Sequence, residues 1–195
     1  MTERLDLGPA AQRMAALIRT IGDDQLDAPT PCPDYLLGDL VDHVGGFAMA
    51  FAAAATKDTA NAAPGGGSGD ASRLVDDWRS RIPRDLAALA AAWRDPEAWT
   101  GMTRAGGIDL PGEIAGVVAL DELVVHGWDV ARASRQPYDV DEPSLAAVHG
   151  FVEQFSSPGA DRGGIFGPVV TVPDDAPLLD RTIGLAGRDP NWSPG

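Results

Sequence analysis

Residues 113–135 read EIAGVVALDELVVHGWDVARASR, which is the longest strongly apolar run in the chain. Within it, Glu122 and His126 are four residues apart, so a helix places both side chains on one face, one turn from each other. Their neighbours are mainly valine, leucine and alanine. A carboxylate in such surroundings is costly unless it is paired or coordinates a metal. The stretch therefore predicts a buried central helix that carries a polar pair.

The composition limits the classes of partner. The chain has 195 residues, which is enough for a single domain over residues 1–195. It has a net charge of -14, and its one cysteine cannot form an internal disulfide. An acidic surface repels phosphates, which argues against nucleic acid or an anionic membrane as a partner. The N-terminus lacks the pattern of a signal peptide, and no apolar run reaches the roughly 20 residues that span a bilayer. We therefore expect a soluble, cytoplasmic protein.

Around the central stretch, apolar residues at helical spacing are separated by proline and glycine. They predict further helices over about 9–21, 37–55, 72–93, 143–155 and 177–187. Pro83 is expected to kink or split the third of these. Residues 95–112 are predicted to be irregular, with a short extended piece as an alternative. Residues 169–172 are predicted to run extended over the surface, with a short strand as the alternative. The fold class is all-α, most simply an antiparallel four-helix bundle with extra C-terminal helices.

Two segments lie outside this predicted bundle. Residues 55–70 are rich in glycine, alanine and serine and offer almost no apolar surface, so we expect a flexible surface loop. Residues 156–195 are expected to form a C-terminal extension that packs on the bundle.

His43 lies on the predicted second helix, among Val41, Val44 and Phe47. Alone, it would be interpreted as a hydrogen-bonded core histidine. Together with Glu122 and His126 it would supply two imidazoles and one carboxylate from facing helices, which is a three-ligand metal site with a position left for water or substrate. Spacing alone also allows an ordinary contact between Glu122 and His126 within one helix.

Several neighbouring residues have two interpretations at this stage. Asp39 lies one turn from His43, and Asp129 one turn from His126, so each could orient an imidazole or be a surface carboxylate; for Asp129 the alternative partner is Arg132. Cys32 is interpreted as a structural thiol, with a role as fourth ligand or nucleophile as the alternative.

Three runs of sequence resemble a known family. They are PTPCPDYLLGDLVDHVGG at 29–46, DELVVHGWDVARA at 121–133 and FGPVVTVPDDAPLLDRTIGLAGRDPNW at 166–192. This pattern resembles the DinB-like metal-binding family related to the N-terminal domain of mycothiol-dependent maleylpyruvate isomerase, and in particular its short branch of metal-binding proteins. The resemblance implies that His43, Glu122 and His126 bind a divalent metal, usually zinc, and that mycothiol is a candidate cofactor. Nickel is the alternative, because nitrogen and oxygen ligands suit several first-row ions.

The chain departs from the family pattern in two places. The family usually has tryptophan and then a serine or threonine helix cap where this chain has Tyr35 and Leu36, so Asp34 or Asp39 must help to cap the second helix. The resembling isomerase also has an additional C-terminal domain, for which the roughly sixty residues after the central helix are predicted to be too few. The resemblance therefore implies the metal site more strongly than the isomerase reaction.

These observations predict a divalent-metal-binding protein that activates a low-molecular-weight thiol, as a transferase or isomerase acting on a small molecule. Two alternatives stay open: a metal-dependent hydrolase, and a metal-binding module without turnover. A homodimer that pairs through an apolar helix face is a further open alternative.

Overall fold

Six α-helices and one β-hairpin form the regular structure of this computed structural model, which describes residues 5–58, 68–156, 162 and 165–194. The helices are α1 (Gly8–Arg19), α2 (Leu37–Ala55), α3 (Trp78–Ala92), α4 (Gly112–Ala133), α5 (Glu142–Glu153) and α6 (Leu178–Leu185). The hairpin strands are β1 (Met102–Ala105) and β2 (Ile108–Pro111). The expectation of a mainly helical protein is confirmed. No helix in the described ranges has the length and apolar character that crossing a membrane requires.

Helix α4 is the element on which the others pack. It contacts α1, α2, α5 and the hairpin, and Leu120, Leu123 and Val124 along it are fully buried. Helices α1 and α2 each also pack against α3. Because α4 is covered on several sides, its apolar residues are not confined to one stripe, as the unbroken apolar sequence indicated.

Helix α3 is shorter than the sequence predicted. It begins at Trp78, after a short 3-10 helix over Ala71–Arg73, and it continues through Pro83 without a break. Proline lacks an N–H and therefore removes one bond of the helix ladder, yet the buried side chains of Ile82 and Leu86 on either side hold the helix in place.

The hairpin was predicted only as an irregular segment with a short extended piece as the alternative. Its two-residue turn is Gly106–Gly107, with φ of +58° and +83°. Positive φ at both positions is what a type I′ turn needs, and glycine adopts it without steric cost. The buried Thr103 hydroxyl donates to the Ala54 carbonyl, 2.6 Å away, which joins the hairpin to the end of α2.

The C-terminal part packs on α4 through α5, and α6 packs on α5. Residues 169–172 are extended but belong to no strand, although the Val170 amide donates to the Gly184 carbonyl at 2.9 Å. Arg132 on α4 donates to the Pro190 carbonyl at 2.7 Å. These contacts carry the last residues of the chain back to the central helix.

The loop predicted to be flexible over residues 55–70 lies largely outside the described residues, which omit 59–67. Its last residues, 68–70, lie against α2. The Asp70 amide donates to Asp42 at 3.1 Å, and the Arg73 guanidinium donates both to Asp42 and to the Ser68 carbonyl at 2.6 Å.

Candidate metal centre

His43, Glu122 and His126 converge on one point between α2 and α4. Glu122 Oε2 lies 3.2 Å from His43 Nε2 and 3.4 Å from His126 Nε2. The three potential ligand atoms all lie within 4.8 Å of one another. The structure therefore brings together the three side chains that the sequence selected, and it places one carboxylate oxygen between two imidazole nitrogens.

Asp39 fixes the start of α2 rather than the ring of His43. One carboxylate oxygen accepts from the Leu36 amide at 3.2 Å, and the other accepts from the Ala71 amide at 2.8 Å. Leu36 occupies the position before the helix and has no side-chain oxygen with which to cap it, so Asp39 satisfies a terminal amide instead. Of the two interpretations offered for Asp39, contact with His43 is not seen, and Asp39 acts through the helix that carries it.

Asp129 orients His126. Its Oδ2 lies 3.0 Å from His126 Nδ1 and 3.2 Å from the Arg188 guanidinium, and Asp129 is fully buried. A carboxylate oxygen accepts hydrogen bonds, so this contact favours the tautomer of His126 with its proton on Nδ1, which leaves Nε2, on the Glu122 side, available to a cation. Arg132, the alternative partner, contacts the Pro190 carbonyl and the Trp128 ring instead.

Arg188 lies beside this group of side chains, and the sequence did not indicate it. It is 8% exposed, follows α6, and is 59 positions from Asp129 along the chain. Burial lowers the pKa of Arg188, but the neighbouring Asp129, Cys32 and Asp121 outweigh that effect and raise it, so the side chain stays charged. No local pattern near residue 188 indicated this contact.

Tyr35 holds His43 from the other side. The two rings stack with centroids 5.3 Å apart and planes 27° apart, while His43 meets the His126 ring edge-on at 5.1 Å. The Tyr35 hydroxyl is hydrogen-bonded to the Gly69 backbone. The sequence marked Tyr35 only as a departure from the family pattern, and the structure shows that this departure lies against a proposed ligand.

The charges at the centre favour an ionised glutamate. Burial acts to raise the pKa of Glu122, but the hydrogen bond from His43 and the nearby His126 and Arg188 lower it below the ordinary value. Asp121, one residue earlier, differs: burial raises its pKa well above the usual range, and the charge of Glu122 adds to the shift. Of these two adjacent acids, Glu122 is the one suited to bind a cation.

The three side chains meet the requirements of a divalent ion. Two donors that are each about 2.1 Å from one tetrahedral ion lie about 3.4 Å apart, close to the separations on either side of Glu122 Oε2. Two imidazoles and a carboxylate are also a ligand set that zinc and nickel accept. A histidine ligand is usually supported by a carboxylate that accepts from its second ring nitrogen, and Asp129 is in position to do so for Nδ1 of His126.

Cys32 lies beside this group and not within it. Its sulfur is within 4.8 Å of ligand atoms of His126 and Asp129, a second set of side chains that shares His126 with the first but includes neither His43 nor Glu122. Burial raises the pKa of the Cys32 thiol, and the charge of Asp129 raises it further. A buried thiol that resists ionisation favours the structural interpretation over that of a nucleophile.

The comparisons with known proteins identify a family for this chain. The family described as "Mycothiol maleylpyruvate isomerase N-terminal domain" matches residues 7–131, which include all three converging side chains. An uncharacterized protein of Mycobacterium tuberculosis strain CDC 1551 / Oshkosh is 30% identical over 189 residues, covering 92% of this chain and 93% of its own length. An uncharacterized protein of strain ATCC 25618 / H37Rv matches with the same identity and coverage.

Two solved structures share the fold. A crystal structure of mycothiol-dependent maleylpyruvate isomerase has a TM-score of 0.67 and 16% identity, over 95% of this chain and 88% of that chain. A histidine-to-alanine mutant of mycothiol-dependent maleylpyruvate isomerase gives a TM-score of 0.60 and 17% identity, over 80% and 71%. The first overlap includes the residues of this chain that follow α4 and extends over 88% of the isomerase chain. We had expected those residues to be too few to match the C-terminal domain of the isomerase, so the match is more extensive than the sequence predicted. The chain belongs to the mycothiol maleylpyruvate isomerase N-terminal domain family.

Proposed function

We propose that this protein binds one divalent ion, zinc or alternatively nickel, through His43, Glu122 and His126, and uses it to activate a low-molecular-weight thiol of the mycothiol type. The reaction would be transfer of the thiol to a small electrophile, or isomerisation of that electrophile. The observation that carries the proposal is the position of Glu122 Oε2, 3.2 Å and 3.4 Å from the Nε2 atoms of two histidines on different helices. Family membership supports the choice of a thiol as the small molecule that the ion activates.

Each residue has a distinct part in this proposal. Asp129 accepts from His126 Nδ1, so Nε2 is available for a cation, and Arg188 pairs with Asp129 from the other side. Tyr35 fixes the plane of His43 by stacking. A bound divalent ion would supply positive charge that lowers the pKa of a neighbouring thiol. We further interpret α1–α4 as an antiparallel four-helix bundle of the DinB type that holds these side chains.

Replacing His126 with alanine should abolish metal binding, because the Glu122 carboxylate and His43 would be left as two ligands. We expect about one ion per chain in the wild-type protein after incubation with zinc, and a loss of most of it in His126→Ala, measured by elemental analysis after gel filtration. His149→Ala is the matched control, since His149 lies on α5 with its Nδ1 3.0 Å from the Thr182 hydroxyl. That variant should keep the ion.

The circular dichroism spectrum of each variant should remain helical. A His126→Ala protein that kept the ion would contradict the proposed site. A nickel-loaded wild-type protein whose visible absorption spectrum does not respond to a small thiol would contradict thiol activation. That result would favour the hydrolase or the module without turnover.

A further inference from the structure

A cavity of about 340 Å³ opens beside His43, between α2 and α3. The described residues that line it are Asp42, His43, Gly45, Gly46, Met49, Arg73 and Arg81. This volume is in the range of pockets that bind small molecules. Because His43 belongs both to the cavity wall and to the candidate metal centre, a ligand in the cavity would lie next to that centre.

The absence of side chains at two glycines of α2 creates the space of the cavity. Residues 42, 45, 46 and 49 form one face of α2, and Gly45 and Gly46 leave the middle of that face without side chains. A Cβ atom added at Gly46 would meet nothing within 4 Å, whereas one at Gly45 would meet Ile82 of α3 at 3.2 Å. The floor of the cavity is therefore bare helix backbone at Gly46, and α3 forms its far wall.

The side chains that line the cavity include more positive than negative groups, in a protein of net charge -14. Its lining includes two arginines and a single carboxylate, that of Asp42. Asp42 already accepts two hydrogen bonds from Arg73, at 2.6 Å and 3.0 Å, so these two charges offset each other. Arg81 is the remaining positive side chain of the lining, and its partner Asp85 is not among the lining residues.

Most N–H donors of the Arg81 guanidinium are available to a ligand. Among the described residues its side-chain hydrogen bond is one long contact of 3.3 Å, from one terminal nitrogen to Asp85 one turn along α3. A guanidinium carries five N–H donors in a planar fork, which matches the two oxygens of a carboxylate. The pair is long and spans one helical turn, a class of ion pair that contributes little to stability, and it occupies only one nitrogen of the guanidinium.

We propose that the cavity beside His43 binds the carboxylate of a small-molecule ligand through Arg81, and so determines which thiol or electrophile reaches the metal centre. This inference rests on the proposed function, because it names the chemistry of the ligand that the same site takes. The carboxylate could be carried by the thiol or by the electrophile. The shared feature is one carboxylate held by Arg81.

The first experiment compares two thiols on cobalt-substituted protein. N-acetylcysteine carries a carboxylate, and N-acetylcysteinamide has a neutral amide in its place; binding is followed by the thiolate-to-cobalt charge-transfer band. If the thiol carries the recognised carboxylate, the affinity ratio of acid to amide should fall about 10-fold in Arg81→Gln. The two thiols differ in acidity, but this difference is the same for the wild-type protein and for Arg81→Gln, so it cancels when their affinity ratios are compared. Arg84→Gln is the matched control, since Arg84 lies on α3, is 71% exposed and does not line the cavity.

A second arm tests the electrophile as the source of the carboxylate. The wild-type protein is first saturated with the neutral thiol, and glutarate is titrated by calorimetry. Binding that weakens about 10-fold in Arg81→Gln, but not in Arg84→Gln, would assign the carboxylate to the electrophile. If Arg81→Gln changes neither the thiol ratio nor glutarate binding, the inference is overturned. If neither thiol produces the band in the wild-type protein, thiol activation fails, while glutarate titrated without thiol still reports on the cavity.

A third variant blocks the cavity without touching its charges. Gly46→Leu fills the open space above α2, and leucine is a better helix former than glycine, so the helix should not be weakened. We expect the preference for the carboxylate ligand to be lost while cobalt is still bound. Gly150→Leu on α5 is the control, because a Cβ there also meets nothing within 4 Å. Unchanged selectivity in Gly46→Leu would overturn the inference.

Discussion

At the scale of single residues, the pair of Asp129 and Arg188 determines how His126 is presented. Replacing Asp129 with asparagine should lower metal affinity about 10- to 100-fold, because the charged acceptor behind a histidine ligand raises its basicity. It should also lower the free energy of unfolding by about 3 kcal/mol, since the buried Arg188 loses its charged partner. Isothermal titration with zinc and urea denaturation measure the two effects.

A double variant separates these effects. In Asp129→Asn combined with Arg188→Met the unpaired charge is gone, so much of the lost stability should return. The metal affinity should stay low, because the carboxylate is still missing. Recovery of both quantities in the double variant would show that Asp129 acts only through folding.

The residues of the candidate site differ in how far the sequence predicts them. Glu122 and His126 could be selected locally, since an acid and an imidazole one turn apart in an apolar run need a partner. His43 could be added only through the family resemblance, because spacing does not show which helices face each other. Arg188 could not be predicted at all: its contact with Asp129 depends on the path of the C-terminal part across α4.

At the scale of elements, α2 has a weak point at its start. Leu36 occupies the cap position in extended conformation, with φ of -75° and ψ of 166°, and its side chain is 46% exposed. Replacing it with threonine should raise the free energy of unfolding by about 1 kcal/mol, because the hydroxyl can accept from an amide of the first turn. Chemical denaturation provides the measurement. Leu36→Ala is the control, since it removes the same exposed side chain without adding a hydroxyl; equal stability of the two variants would exclude capping as the cause.

The elements themselves were predictable where an apolar spacing was regular. The spacing of Leu40, Val44, Phe47 and Phe51 predicted α2 over 37–55, and the structure has Leu37–Ala55. The third helix was predicted too long because its first residues are tied to α2 by Asp39 and Asp42, which is a tertiary contact. The hairpin was missed because each strand has only four residues, too few for an alternating pattern to stand out.

At the scale of the whole molecule, metal binding and folding should be coupled. The two histidines lie on α2 and α4, and the support of His126 comes from beyond α6, so the site joins parts of the chain that are distant in sequence. An unfolded chain does not hold these side chains together, and an ion that binds only the folded state stabilises it.

Removing the ion should therefore lower the melting temperature. At a free zinc concentration about 100 times the dissociation constant, the expected stabilisation is about 2.7 kcal/mol. For a chain of this size that corresponds to roughly 5–10 °C, read as the difference between scans with zinc and with EDTA. His149→Ala should keep the shift and His126→Ala should lose it, because only the second variant lacks a ligand. A wild-type protein that binds zinc but melts at the same temperature with EDTA would mean that the ion does not bridge α2 and α4, and would contradict the site proposed between them.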